Sequence, residues 1–257
     1  TNFEGEYLPT CFKEITKLQE LNLQIVGPME IKVEVLSMLS EIKQLERLEI
    51  SLSNLDNVTD FNMDEMTKFA KVLRLSKLSL KFSYLKGIGE NTIYYLARNL
   101  TPQNSIFLDD FSLIFDQCSP IKNTGIEYMS TFIADLENLT KFTFIIRQTT
   151  AHQELNIDDS HLIKFTQALK RITKLKELNI EWRPVPHIST LSILFFKESL
   201  RRLHNLNTLI INFYGSKVSI RLKQQIRKFI GQLPGLKKYD ISLDYLSEFS
   251  SIMSLTY

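Results

Sequence analysis

Apolar and polar positions alternate in eight short stretches of this chain, and between them the apolar residues fall at helical intervals instead. The alternating stretches share the pattern L-x-x-L-x-L-x-Φ, where Φ is a large apolar residue. They begin at 18 (LQELNLQI), 45 (LERLEISL), 75 (LSKLSLKF), 108 (LDDFSLIF), 139 (LTKFTFII), 175 (LKELNIEW), 206 (LNTLIINF) and 236 (LKKYDISL), spaced 27 to 36 residues apart. Positions 4, 6 and 8 are apolar in every copy while 5 and 7 are mostly polar, the period of a half-buried strand. Self-similarity at this spacing predicts a stacked array of one supersecondary unit.

The intervening segments supply the other half of that unit. In 161–174, Leu162, Phe165, Leu169 and Ile172 share one helical face; in 217–231, Val218, Leu222, Ile226 and Phe229 do the same, with Gly231 placed to end the helix. GIGEN (87–91) reads as a turn into a helix over 91–100. The unit is strand–turn–helix–turn, and an intervening helix makes consecutive strands parallel.

A chain of such units resembles the leucine-rich repeat family, and the long repeat with a real helix is most similar to its ribonuclease-inhibitor-like branch. The resemblance covers about 12–243 and implies an α/β solenoid, a curved horseshoe with about eight repeats. It places a parallel sheet on the concave face and helices on the convex face. The family's Asn or Cys should fall at position 9, which holds Val26, Ser53, Ser83, Asp116, Arg147, Arg183, Tyr214 and Asp244. The asparagine ladder is absent. Position 8 is apolar throughout (Ile25, Leu52, Phe82, Phe115, Ile146, Trp182, Phe213, Leu243), which predicts a longer strand with an extra core layer.

The chain is expected to be one domain, with 1–17 as an N-terminal cap, 18–243 as the eight repeats and 244–257 as a C-terminal cap or tail. Phe12 and Ile15 can cover one open end of the array. Leu246, Phe249, Ile252 and Met253 have the spacing to cover the other, and a tail that docks into a partner is the alternative.

Composition narrows the function. With 44% hydrophobic and 23% charged residues in 257, the sequence is foldable rather than disordered. No apolar run approaches the ~18–20 residues of a membrane span. The two cysteines, Cys11 and Cys118, have no metal-ligand spacing, and a reducing, intracellular setting is expected. The chain begins at Thr1, which suggests a fragment or a processed product. His152, His161, His187 and His204 form no H-E-x-x-H pair, and there is no nucleophile elbow, phosphate loop or dinucleotide fingerprint. Asp158 and Asp159 precede a helix, where carboxylates favour the N-terminal dipole. No enzyme activity, metal, cofactor or small-molecule substrate is expected.

Two surfaces remain. On the strand face, positions 3, 5 and 7 point away from the core and carry five basic and six acidic residues, too balanced to hold a polyanion. Strands lie about 4.8 Å apart, so Ile114 and Ile145 are expected to be exposed neighbours. With Glu177, Asn179, Glu181 and Ile210 they are the candidate protein contacts of this face. The second surface follows from a charge asymmetry. Segment 161–238 holds sixteen Lys/Arg and only three acids (Glu177, Glu181, Glu198), a net of +13, while the rest of the chain nets −11. Lys164, Lys170, Arg171 and Lys174 lie off the apolar stripe of one helix. Lys197, Arg201 and Arg202 do so on the next, and Arg221, Arg227 and Lys228 on the third. A solvated helix face explains this charge; an acidic protein surface, RNA or an anionic membrane are the functional readings, in that order. The expected function is therefore a non-catalytic protein-interaction module or scaffold subunit of a multi-subunit complex. Polyanion binding is the alternative, and a targeting domain of a larger enzyme is a third reading.

Overall fold

The structure is a computed structural model, and it describes residues 17–27, 34–148, 155, 157–216 and 218–243. The expected cap residues Phe12 and Ile15, and the tail from 244, lie outside the described residues. The chain divides into two compact units, 1–119 and 120–257.

In the first unit, strands β1 (Glu20–Val26), β2 (Arg47–Ser53), β3 (Lys77–Ser83) and β4 (Asp110–Asp116) pair in parallel and in chain order. In the second, β5 (Lys141–Arg147), β6 (Glu177–Arg183), β7 (Thr208–Phe213) and β8 (Lys238–Ser242) do the same. Helices α1 (Glu34–Ser37), α2 (Met63–Met66), α3 (Glu90–Asn99) and α4 (Pro102–Ser105) belong to the first unit. Helices α5 (Asn123–Ile133), α6 (Asp159–Leu169), α7 (Thr190–Leu200) and α8 (Ile220–Ile230) belong to the second. Both units are thus α/β, with parallel strands alternating with helices.

The register follows the repeat position for position: Leu48 faces Leu78, Leu78 faces Phe111, and Leu178 faces Leu209. Positions 4, 6 and 8 are buried in β2 to β7. The first and last strands depart from this, with Leu21 and Leu23 half-buried and Tyr239 exposed. Position 8 forms the expected extra layer. Trp182 is fully buried, with ring centroids 5.7 Å from Phe144, 5.1 Å from Phe165 and 5.5 Å from Phe213.

Main-chain hydrogen bonds link the turns that follow the strands. At position 10 the backbone turns left-handed at Gly27, Asn54, Tyr84, Gln117 and Gly215. The amides of Gly27, Asn54 and Tyr84 then donate to the position 9 carbonyls of Ser53, Ser83 and Asp116 in the following repeat, at 2.8–3.2 Å. These three turn carbonyls therefore have a backbone donor.

The connector between β2 and β3 is not the full helix that the repeat unit implies. Between β2 and β3 the chain makes a 3-10 turn (Asp60–Asn62), the single turn α2 and a second 3-10 turn (Lys68–Lys71). Thr67 bends its hydroxyl back onto the Met63 carbonyl at 2.6 Å, a local bond that competes with helix continuation. The buried Asn99 amide then donates to Thr67 Oγ1 at 2.7 Å.

Candidate functional site

The paired aspartates do structural work between repeats. Asp158 caps its own helix α6, accepting from Ser160 N at 3.0 Å and His161 Nδ1 at 2.7 Å. Burial raises the pKa of this carboxyl, but the bonds from His161 and Ser160 outweigh it and hold it at about 2. Asp159 instead reaches the next helix, accepting from Ser189 N at 2.7 Å and Ser192 Oγ at 2.6 Å at the head of α7. Asp60 does the same for α3, with Gly89 N at 2.8 Å, Thr92 N at 3.0 Å and Thr92 Oγ1 at 2.6 Å. Carboxylates that suit acid–base chemistry by type are consumed as caps.

The strand face differs from expectation at two residues. Ile145 is buried, and so is Glu181, at 7% exposure. The two are register partners. Arg147 grips Glu181 through two bonds of 2.9 and 2.8 Å, and Arg183 Nε adds a third at 2.7 Å. Neither Glu181 nor Ile145 is therefore an open contact residue. Ile114, Glu177, Asn179 and Ile210 are half-buried on this face. Glu177 pairs with Lys141 at 2.9 Å. Asn179 Oδ1 is buried with no hydrogen-bond partner among the described residues. Arg47 pairs with Glu20 at 2.6 Å and Lys77 with Glu49, so much of the charge of this face cancels from strand to strand.

On the helix side of the second unit the basic residues divide into two groups. Lys164 is paired with Glu127, whose carboxyl the lysine's hydrogen bond and charge pull below the usual range. Lys174 donates to Asn138 Oδ1 at 2.6 Å. Lys197 and Arg201 lie over the Phe229 ring at 5.1 and 5.3 Å, and Arg201 also pairs with Glu198 at 2.6 Å. The second group, Lys170, Arg171, Arg202, Arg221, Arg227 and Lys228, has no ion pair among the described residues, and all but the half-buried Lys170 are exposed. Arg171 lines an open groove of ≈ 510 Å³ together with Glu127, Thr131, Lys164 and Gln167 of α5 and α6.

Within this charged surface sits an apolar strip that the repeat pattern does not reveal. Leu191, Leu194 and Phe195 of α7 are 53%, 42% and 38% exposed. Their i, i+3, i+4 spacing sets them side by side. The signal in the sequence is that TLSILFF is apolar on every side, whereas a surface helix carries one apolar stripe. A second such residue is Phe61, 87% exposed in the first unit.

Among the described residues no three His, Cys, Asp or Glu side chains converge as metal ligands, and no helix is long and apolar enough to cross a membrane. Neither a protein-family model nor a curated protein sequence matches the chain.

Proposed function

We propose that this chain is a non-catalytic interaction module, a leucine-rich-repeat solenoid of the ribonuclease-inhibitor-like kind, serving as a subunit of a larger assembly. The repeat, with its parallel strands alternating with helices, supports the architecture. One observation carries the function: the exposed Leu191–Leu194–Phe195 strip on α7, which leads along the helix to the Glu198–Arg201 pair and to Arg202. Apolar surface with a polar rim is the anatomy of a protein-binding patch. The strand face is the weaker candidate, because its charges neutralise one another and Glu181 and Ile145 are buried.

Polyanion binding through the basic residues of these helices is the competing reading, and it makes a different demand on the apolar strip. RNA or heparin would be held by charge alone, with strong salt dependence. The test compares two variants: Leu194→Asp, and charge reversal of Arg201, Arg202, Arg227 and Lys228 together. Affinity capture of a stoichiometric protein partner should be lost with Leu194→Asp. Heparin retention that survives Leu194→Asp and disappears on charge reversal, with no such capture by the wild type, would replace the protein reading by the polyanion one.

A further inference from the structure

The exposed apolar residues of the two units are complementary in charge. Phe61 sits in the 3-10 turn Asp60–Asn62. Residues 53–67 around it contain Asp56, Asp60, Asp64 and Glu65 and no Lys or Arg; Lys68, next in the chain, pairs with Glu65, and Asp64 accepts from Asn99 at 3.3 Å. A phenylalanine left 87% in water contributes almost nothing to folding. Yet the turn that presents it is firmly held. Thr59 N donates to Asn62 Oδ1 at 3.1 Å, Asp60 N donates to the Gly87 carbonyl at 2.7 Å, and the Asp60 carboxylate is tied to the head of α3. A Cβ on Gly87 would lie 2.6 Å from Thr59 Cγ2, so the approach is close as well as bonded. Phe61 is an apolar knob with its ordering cost already met by the fold, which favours binding.

The α7 strip is the matching socket. Its apolar centre, Leu191, Leu194 and Phe195, continues along the helix into the exposed Arg201 and Arg202. Helix α8 is joined to α7 through Phe229 beneath Lys197 and Arg201, and it brings the exposed Ile220 and Arg221 at its head. The turn that carries Phe61 has an excess of acids, with Asp56 exposed, and the helices that carry the strip have an excess of bases, with Arg202 and Arg221 in no ion pair among the described residues.

We propose that the chain associates head to tail with a second copy of itself, Phe61 of one protomer entering the Leu191–Leu194–Phe195 strip of the next. The acids around Phe61 then face Arg201, Arg202 and Arg221. This rests on the reading of the α7 strip as a protein-binding patch and adds the identity of its occupant. Knob and socket are different surfaces, so the contact is heterologous, and each added protomer leaves one of each open for a ring or a filament.

Sedimentation velocity on the full chain tests it, with far-ultraviolet circular dichroism and chemical denaturation of each variant as the check that both units are folded. The wild type should show concentration-dependent oligomers that weaken as salt rises. Phe61→Ser and Leu194→Asp should each raise the concentration needed for association by about tenfold or more. Mixed in equal amounts, the two variants should form a 1:1 dimer and nothing larger, because only one intact knob and one intact socket remain. A wild type that stays monomeric, or a mixture in which neither variant rescues the other, overturns the proposal. If capture of another protein is lost with Leu194→Asp but unaffected by Phe61→Ser, the patch reading survives and the second copy as occupant is overturned.

Discussion

Asp158, Cys118 and Tyr84 show how far single residues are governed by surroundings rather than by type. The Asp158 carboxyl lies below its ordinary 3.8, at about 2, so its contribution to stability is full above pH 3.8 and is lost as pH falls towards 2. The side chain is 46% exposed, and solvent screens much of this. Asp158→Ala should therefore cost about 1 kcal/mol at neutral pH. Denaturant melts of both proteins across the acid range should show the difference closing between pH 3.8 and about 2. Cys118 moves the other way. Burial pushes its thiol up to about 11, and it donates to the Phe82 carbonyl at 3.4 Å. Iodoacetamide should modify Cys118 only after unfolding, as read by peptide mass spectrometry. Tyr84 holds a left-handed φ of 56° with its ring in solvent. Tyr84→Asn should stabilise the protein by roughly 0.5–1 kcal/mol, since asparagine adopts this region more readily; urea midpoints would check it.

At the scale of elements, each helix start leaves amides without partners, and here a neighbouring repeat can supply the acceptor. Asp159 serves α7 and Asp60 serves α3 across about thirty residues of sequence. Asp60→Ala and Asp159→Ala should each cost about 1–2 kcal/mol. Amide exchange should quicken locally, at 89–92 for the first and 189–192 for the second. Sequence spacing shows that a carboxylate precedes a helix; it does not show which helix it caps. The same limit appears in the connectors. Helix α8 lies inside the 217–231 segment that apolar spacing marks out, and α6 overlaps the 161–174 segment but starts two residues earlier, at Asp159, and ends at Leu169; the buried faces of both follow a period of 3.6. The connector around α2 breaks into short turns, which the apolar spacing does not reveal.

For the whole molecule, the repeat spreads stability over neighbouring layers, so a lesion in one layer is felt through its two flanks. Trp182 sits at such a junction, between Phe144 and Phe213 of the adjacent strands. Trp182→Ala should cost about 3–5 kcal/mol, measured by chemical denaturation followed by circular dichroism. In the wild type the single tryptophan should emit in the blue when folded and shift red on unfolding, which gives one probe for the layer that holds it.

The strands, their parallel sense and their buried positions were legible in the sequence, because a period of two repeated eight times admits few other packings. The charge asymmetry was equally legible, since it needs only counting. What the tertiary structure alone decided is which outward positions remain outward. Ile145 and Glu181 occupy outward-pointing strand positions, yet both are buried, and Glu181 is held by Arg147 and Arg183. Leu191, Leu194 and Phe195 look like core residues by type, yet α7 spends its buried side on Ile193, Phe196 and Leu200 and leaves them in water. Burial depends on what neighbouring elements place above a residue, and that is fixed only when the elements pack.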